Sequence, residues 1–364
     1  MRWSFPVGRL FGIPIRIHYT FILLLLFIWY VESTMLGPRA GFQAVSFWVL
    51  IFLCVLLHEF GHSLVAKSYG LTIASILLLP IGGVSQIVEL PREPAREVAI
   101  TIAGPIVNFL LAGLLLIVGE IIDPSLRFST ISLEGGNLIV NLFWANALLG
   151  LFNIVPAYPM DGGRILRGMI AMRKDYSEAT RLAADVGKLL AIGFIVIGFF
   201  YNWWLILIGI FVFSGASSEA EAAALSSSLS EIPVRNLMIT DYRTISPNEP
   251  FTAVVEKSLH TFQNDFPVVS DGRFVGILTR SSVIEALHHR MHESKVGDIA
   301  RSSFPTIQPD EMAADALSRM RTSRVTVAPV EKDGTLLGII TIEKLLEASD
   351  IFPKGKSLKD GSQK

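Results

Sequence analysis

Two histidines and a glutamate form the most chemically distinctive pattern in this sequence. His58, Glu59 and His62 have the spacing HExxH. On a helix, residues i and i+4 share one face, so both imidazoles can bind one metal ion and Glu59 can act as the base for its bound water. The alternative is a polar helix end with two histidines. We consider it weaker because the motif closes an uncharged apolar run, where such residues are costly.

A catalytic zinc ion needs a third protein ligand and an open position for water. The other histidines are weak candidates, because His18 lies far off at the entrance of the first apolar run and the other four lie in the second half of the chain. Asp161 is a stronger candidate because it ends the uncharged run 135–160. The alternative role for Asp161 is to cap the next helix from a turn rich in proline and glycine.

The elements that must position these residues are apolar. The 364 residues are 51% hydrophobic and 17% charged, against roughly 25% charged in soluble domains. Residues 1–217 hold 14 Lys/Arg and 12 Asp/Glu, whereas residues 218–364 hold 17 and 20. This indicates a membrane half followed by a soluble half. The net charge of −1 argues against a nucleic-acid partner, and the single cysteine, Cys54, excludes an internal disulfide and a cysteine-based zinc site.

Long apolar runs predict about six transmembrane helices, each near the ~18 residues that a spanning helix needs. They lie near residues 17–36, 40–58, 98–119, 135–160, 180–199 and 203–217. Residues 68–88 are also uncharged, but their glycines, Pro80 and short β-branched stretches favour a re-entrant β-hairpin. A signal peptide is not expected, because no small-residue cleavage site closes the first apolar run.

The distribution of positive charge predicts the orientation in the cell membrane. With both termini in the cytosol, the inner segments 1–18, 67–97 and 156–179 carry ten Lys/Arg and the outer loops carry two. The second and fourth spans then both end on the inner side, so that His58 and Asp161 lie at one depth. A seventh helix over 68–88 would separate them.

Several further motifs accompany the HEFGH sequence at 58–62. They are Gly12 to His18, Pro80-Ile-Gly82-Gly83, Ala103-Gly104-Pro105-Ile-Val-Asn108 and Asn153 to Arg164. Together they resemble the site-2 protease family of intramembrane zinc metalloproteases, in its prokaryotic form with a C-terminal regulatory domain. The resemblance covers the whole membrane half, and the combination of HExxH with PMDGGR is its most specific part.

This resemblance implies one Zn²⁺ per chain held by His58, His62 and Asp161, with Glu59 as the base. It also implies that Asn153 helps hold the oxyanion; the alternative is that this amide satisfies the broken backbone before Pro156. The implied substrate is a single-span membrane protein, such as an anti-sigma factor, a membrane-bound transcription-factor precursor or a remnant signal peptide.

Two other residues near the motifs have structural interpretations. We expect Asn108 to bond across helices beside the kink that Gly104-Pro105 introduces. Cys54 shares a helix face with His58, and we interpret it as a small apolar packing residue.

The soluble half contains an internal repeat with an offset of 62 residues, for example Gly276-Ile-Leu-Thr279 against Gly338-Ile-Ile-Thr341. Each copy has the order helix, strand, turn, strand, helix, and the pair resembles tandem CBS domains. The resemblance implies an adenine nucleotide, yet Ser282 and Lys344 occupy the positions where that family commonly has an acidic residue for the ribose. A role in homodimerisation or substrate docking is equally compatible. We expect the clustered His288, His289 and His292 to be solvated helix residues.

The predicted architecture is therefore a polytopic α-helical membrane domain with a re-entrant hairpin, followed by a cytosolic α/β module. The boundaries are a metalloprotease domain 1–217, a linker 218–231, tandem CBS domains 232–350 (232–290 and 294–350) and a polar tail 351–364. The main rival function is a CBS-gated metal-ion transporter or channel, which would not need a glutamate in HExxH order. A catalytically inactive relative is a further alternative, which the full ligand set argues against.

Overall fold

The computed structural model describes residues 3–80, 82–87, 93–128, 137–259, 263–270, 272–289, 291 and 293–351. The predicted polar tail lies outside these residues from position 352 onward. The chain separates into two compact units, Met1–Glu221 and Ala222–Lys364.

Apolar helices form most of the first unit. They are α1 (Tyr19–Leu36), α2 (Pro38–Ser68), α3 (Pro94–Ile122), α4 (Leu138–Ile154), α5 (Asp161–Ala171), α6 (Tyr176–Tyr201) and α7 (Trp203–Leu229), and the boundary between the two units falls within α7. Within the described residues, five of these helices are long and apolar enough to cross a membrane, and α4 is a shorter apolar helix of 17 residues. Only α5 has no counterpart among the predicted spans. The helical, membrane-type character predicted for this half is confirmed.

Four strands of the first unit form one sheet. They are β1 (Ser4–Leu10), β2 (Ile13–His18), β3 (Ile73–Leu79) and β4 (Gly82–Ile87), in the order β1-β2-β3-β4. The pair β3–β4 is antiparallel and falls in the segment predicted as a hairpin, and β2 pairs with β3 in parallel. The hairpin is thus part of a larger sheet, because the segment before α1 adds two strands that the sequence analysis did not predict. Strand β4 lies at an edge of this sheet.

Small residues bring α2 and α3 into close contact. A Cβ atom built on Gly61 of α2 would lie 2.8 Å from the carbonyl oxygen of Ala103 in α3, so a larger residue at position 61 would push the helices apart. Pro105 lies inside α3, two residues after Ala103. This contact places the histidines of α2 directly against the backbone of α3.

The second unit repeats one arrangement of helices and strands. Its elements after a 3-10 turn at Val234–Asn236 are α8 (Phe251–Leu259), β5 (Phe266–Ser270), β6 (Arg273–Leu278), α9 (Arg280–His288), α10 (Val296–Ile299), α11 (Ala313–Ser323), β7 (Val327–Lys332), β8 (Thr335–Thr341) and α12 (Ile342–Ile351). Both strand pairs are antiparallel. The predicted order of helix, strand, strand, helix is present in both copies.

The 62-residue offset is visible in the backbone. A parallel bridge joins Ile245 to Val268, and its counterpart joins Ile307 to Val330. The turns between the strands use Gly272 and Gly334, with φ of +77° and +78°, a conformation that glycine adopts without steric cost. The repeat therefore specifies two copies of one module.

Candidate metal centre

Helix α2 presents two buried imidazoles to the same point. His58 and His62 are one turn apart and only 5% and 8% exposed, and their Nε2 atoms lie 3.0 Å from each other. The i, i+4 spacing on an uninterrupted helix accounts for this convergence.

Asp161 completes the group from a different helix. It is the first residue of α5, and its Oδ2 lies 3.2 Å from Nε2 of His58 and 3.2 Å from Nε2 of His62. The following residue must be small, because a Cβ on Gly162 would overlap the carbonyl oxygens of Ile154 and Val155. The sharp turn after α4 thus brings Asp161 to the histidines. The three residues offer ligand atoms within 4.8 Å of one another and could hold a metal ion.

Hydrogen bonds on the far side of each imidazole determine which nitrogen carries the proton. Nδ1 of His62 lies 2.9 Å from the backbone carbonyl oxygen of Ile100, and Nδ1 of His58 contacts Oδ1 of Asn108. A carbonyl oxygen only accepts, so each Nδ1 carries hydrogen and donates it. Each neutral imidazole then has its lone pair on Nε2.

The centre consequently gathers acceptors without donors. Two Nε2 lone pairs face one carboxylate oxygen, and Oδ2 of Asp161 is buried without a hydrogen-bond partner. Protonating both imidazoles instead would place two positive charges 3.0 Å apart in a buried site. A cation bound by all three atoms satisfies every one of them. The residues therefore fit a metal ion with a ligand set of two nitrogens and one oxygen, which zinc accepts.

Two glycines leave room for the side chains of the site. A Cβ on Gly104 of α3 would lie 2.7 Å from Nε2 of His58 and closer still to Nε2 of His62. A Cβ on Gly83 of β4 would lie 2.6 Å from Cγ of Glu59. Larger residues at either position would displace the ligands or the glutamate.

Glu59 is half-buried beside the two histidines and is held by the sheet. The backbone N–H of Ser85 in β4 donates to its Oε2 at 2.9 Å. Ser63, one turn further along α2, meets the hydroxyl of Ser85 at 2.8 Å. The edge strand thus aligns the carboxylate with the centre.

One cavity of about 540 Å³ joins the five residues that the sequence predicted as functional. Its lining includes His58, Glu59, His62, Asn153 and Asp161. Asn153 lies on the last turn of α4 and faces the same space as Glu59. These residues come from three helices. They line the same cavity although they are far apart in the sequence.

Sequence reasoning missed part of the surroundings of this centre. Asn108 does bond across helices as expected, but it also contacts His58, which was not predicted. Cys54 is more than an apolar packing residue, since its sulfur accepts a hydrogen bond from Asn146 at 3.3 Å. The available signal was the polarity of Asn108 and Asn146 inside apolar runs.

Other histidines have separate roles. Nδ1 of His18 accepts from the backbone N–H of Thr20 and so caps α1. His288 is exposed, with Nδ1 3.0 Å from the carbonyl oxygen of Ile284, while His292 lies outside the described residues.

The second unit departs from an acidic ribose site in the way the sequence indicated. Ser282 is buried, and its hydroxyl lies 2.9 Å from that of Thr279. Lys344 at the equivalent position extends toward Glu347, with Nζ 3.3 Å from Oε2. Neither position supplies a carboxylate.

Both halves of the chain are similar in sequence to known protein families. The model of peptidase family M50 matches residues 46–124 and 129–197, and the CBS domain model matches residues 234–289 and 296–350. A zinc metalloprotease of Methanocaldococcus jannaschii is 35% identical over 362 residues, covering 99% of this chain and 100% of the relative. Rip3 of Mycobacterium tuberculosis is 26% identical over 382 residues, covering 97% and 94%.

A solved structure, the site-2 protease from Methanocaldococcus jannaschii, is 39% identical and covers 60% of this chain and 95% of that chain, with a TM-score of 0.43. The peptidase model matches the membrane half, which gives no support to the transporter alternative. The apolar helices make the chain a multi-pass membrane protein. The full-length similarity shows that the chain belongs to peptidase family M50, the site-2 protease family, and carries a tandem pair of CBS domains.

Proposed function

We propose that this chain is an intramembrane zinc metalloprotease in which His58, His62 and Asp161 hold one zinc ion. The observation that carries the proposal is the cluster of three ligand atoms within 4.8 Å of one another, with Oδ2 of Asp161 buried and unpartnered. The donor set of two imidazoles and one carboxylate leaves a fourth position open for water. The relatives named zinc metalloproteases support the choice of metal.

The residues around the centre suit hydrolysis of a peptide bond. When bound, zinc would lower the pKa of a coordinated water to about 7 and polarise the scissile carbonyl. Glu59, fixed by the N–H of Ser85, accepts the proton of the attacking water and later delivers it to the leaving amine. The amide of Asn153 donates to the oxyanion that develops on the substrate carbonyl.

The substrate that best fits this site is a single-span membrane protein. A helical substrate must unwind before its carbonyls can be attacked, and β4 offers an edge to which an extended segment can add as a strand. Because β4 also holds Glu59, such pairing would bring the scissile bond to the base. Membrane-tethered signalling factors, such as anti-sigma factors or transcription-factor precursors, and remnant signal peptides are the classes we propose.

We place the protein in the cell membrane with both termini in the cytosol. The ten Lys/Arg of the inner segments, against two in the outer loops, support this orientation. It puts the centre near the cytosolic face, because His58 and His62 lie in the second half of α2 and Asp161 follows the end of α4. Water can reach such a site by a short path.

We propose that residues 232–350 regulate the protease or join two copies of it, with residues 218–231 as the connection. Binding of an adenine nucleotide is a second candidate role, because CBS domains commonly bind one. The lack of a carboxylate at Ser282 and Lys344 favours regulation by contact between copies. Equilibrium dialysis of the full chain with AMP and ATP distinguishes the two roles.

The decisive experiment is co-expression of Glu59→Gln with a panel of single-span substrates. We expect cleavage to fall by about 10²–10⁴-fold, the usual contribution of a general base, while zinc content stays at one per chain. Glu120→Gln, an exposed glutamate on α3, is the matched control and should leave both unchanged. Undiminished cleavage by Glu59→Gln would contradict the proposal.

The role of the edge strand has its own test. Proline substitutions along β4 (Gly82–Ile87) remove the backbone donors of the edge strand one at a time. We expect them to weaken cleavage without changing zinc content, except at Ser85, whose N–H serves Glu59. Intact cleavage across the series would show that the substrate does not pair with β4.

A further inference from the structure

A row of buried polar side chains connects α4 to the metal centre. Asn146 of α4 and Asn108 of α3 are 1% and 0% exposed, and the Nδ2 of Asn108 donates to the Oδ1 of Asn146 at 3.1 Å. Asn108 in turn contacts Nδ1 of His58 through its Oδ1. At the other end, Nδ2 of Asn146 donates to the backbone carbonyl of Leu142 at 2.8 Å.

The backbone carbonyl sets the direction of every hydrogen bond in this row. The oxygen of Leu142 can only accept, so the amide nitrogen of Asn146 must face it. The oxygen of Asn146 then faces Asn108 and accepts from its amide nitrogen. This leaves the oxygen of Asn108 toward His58, where it requires a hydrogen on Nδ1 and so a lone pair on Nε2.

The two imidazoles are therefore secured by different means. His62 is oriented by the backbone carbonyl of Ile100, which cannot present a donor. His58 is oriented by a side-chain amide, which presents a donor or an acceptor depending on its flip. A reversed Asn108 would offer Nδ2 to His58 and favour the tautomer whose proton sits on Nε2, where the metal must bind.

We propose that Asn146 is a positioning residue of the metal centre, which holds the amide of Asn108 in one orientation and thereby fixes the tautomer and ring plane of His58. The inference rests on the proposed function, since it assigns Nε2 of His58 to the metal. Outer partners of ligating histidines commonly change metal affinity by about 10–100-fold when they are removed.

The test measures zinc affinity of the purified full chain in micelles by competition with a chelator. Asn146→Leu keeps the side-chain size and removes both hydrogen-bonding groups, and we expect zinc to bind about 10–100-fold more weakly. Asn146→Ala removes the same groups with less crowding and serves if the leucine variant fails to fold. Tryptophan fluorescence verifies folding of each variant.

A second substitution separates orientation from packing. An aspartate in place of Asn108 would accept from Nδ1 of His58 with either oxygen and would need no partner to orient it. Asn108→Asp combined with Asn146→Leu should therefore restore zinc affinity to within about threefold of the wild type. Cys54→Ala is the control, because Asn146 keeps its bond to Leu142 without the sulfur; it should bind zinc normally.

Each outcome is decisive. Weaker zinc binding by Asn146→Leu that Asn108→Asp rescues supports the inference. Wild-type affinity of Asn146→Leu overturns it, and a loss that Asn108→Asp does not rescue assigns Asn146 to packing alone and also overturns it. Failure of the proposed function is seen separately, as a wild type without zinc or a His58→Ala variant that binds zinc as tightly as the wild type.

Discussion

The two units of this chain differ in how many polar and charged side chains they bury. In the first unit, large apolar residues cover the outside, with Leu110 and Phe199 67% and 76% exposed, while Glu97, Asn108 and Arg167 are at most 5% exposed. In the described part of the second unit, the buried side chains are apolar except for those of Thr279 and Ser282. The first unit is thus organised for lipid surroundings and the second for water.

This difference shows where chemistry can be located. A buried polar group without a partner costs several kcal/mol, so most of the buried polar groups of the first unit need a hydrogen-bond or ionic partner. Among the buried atoms left without a partner there, Oδ2 of Asp161 lies where three ligand atoms meet, which is the arrangement that a bound cation would satisfy. The interior of the second unit is apolar, so a ligand or partner of this unit would bind at its surface or in a cleft.

We expect the largest loss of zinc binding from a substitution at Gly104. Gly104→Ala places a methyl group against both Nε2 atoms of the metal centre, so zinc affinity should fall by at least about 100-fold and cleavage with it. The matched control is Gly113→Ala on the same helix, where an added Cβ meets nothing within 4 Å. Normal zinc content in Gly104→Ala would show that the ligands are arranged differently.

A buried ion pair offers the next largest effect. Nε of Arg167 donates to Oε1 of Glu97 at 2.9 Å, and both side chains are almost fully buried. Arg167→Leu leaves the Glu97 carboxylate without its positively charged partner, and the free energy of unfolding should fall by about 3–5 kcal/mol. Adding Glu97→Leu should recover most of this loss, because the uncompensated buried charge is then removed and only the partly exposed Glu219 still lacks its contact with Arg167.

An exposed ion pair in the same unit is the control for that experiment. Nζ of Lys174 lies 2.6 Å from Oε1 of Glu178, and both side chains are roughly half exposed. Lys174→Met should therefore lower the free energy of unfolding by no more than about 0.5 kcal/mol. Denaturant unfolding in micelles can be followed by tryptophan fluorescence, since all six tryptophans lie before residue 205. Equal losses for Arg167→Leu and Lys174→Met would contradict the contrast between interior and surface.

The smallest effect concerns the second unit. Burial raises the pKa of the Asp265 carboxyl, and nearby Glu343 acts in the same direction, against a hydrogen bond from the N–H of Arg280. The ionised carboxylate therefore opposes folding at neutral pH. Asp265→Asn should stabilise this unit slightly, within the ~0.5 kcal/mol typical of substitutions away from the core.

The pH dependence gives the sign of that effect. Because the folded pKa lies above the ordinary value of 3.8, the advantage of the Asp265→Asn variant is full above the raised pKa and fades as the pH falls through it. Hydrogen exchange in peptides from residues 266–278, measured on the full chain at pH 7 and pH 4, reports the local stability. A larger advantage at pH 4 than at pH 7 would refute the assignment.

Much of the metal centre was predictable from sequence because its spacing is local. His58, Glu59 and His62 are positioned by one helix, and the helical period alone brings both imidazoles together. The membrane depth of Asp161 could be predicted by counting the membrane crossings, since two spans follow α2 before Asp161. The repeat in the second unit was equally accessible, because identical offsets recur in the turns and in the strands.

The features that escaped prediction depend on tertiary contacts. The pairing of β2 with β3 joins residues 61 positions apart, such as Ile15 and Ile76, and no local pattern encodes it. The contact between Asn108 and His58 requires the close approach of α2 and α3 that Gly61 permits. Propensity and periodicity describe one segment at a time and contain no information on such contacts.

X-ray absorption at the zinc edge of the purified full chain identifies the atoms that bind the metal. We predict one zinc per chain with two nitrogen ligands at about 2.0–2.1 Å and an oxygen ligand at about 2.0–2.2 Å. Asp161→Asn should alter the oxygen shell and leave the histidine signals in place. A zinc ion bound without histidine, or a chain that binds none, would contradict the account.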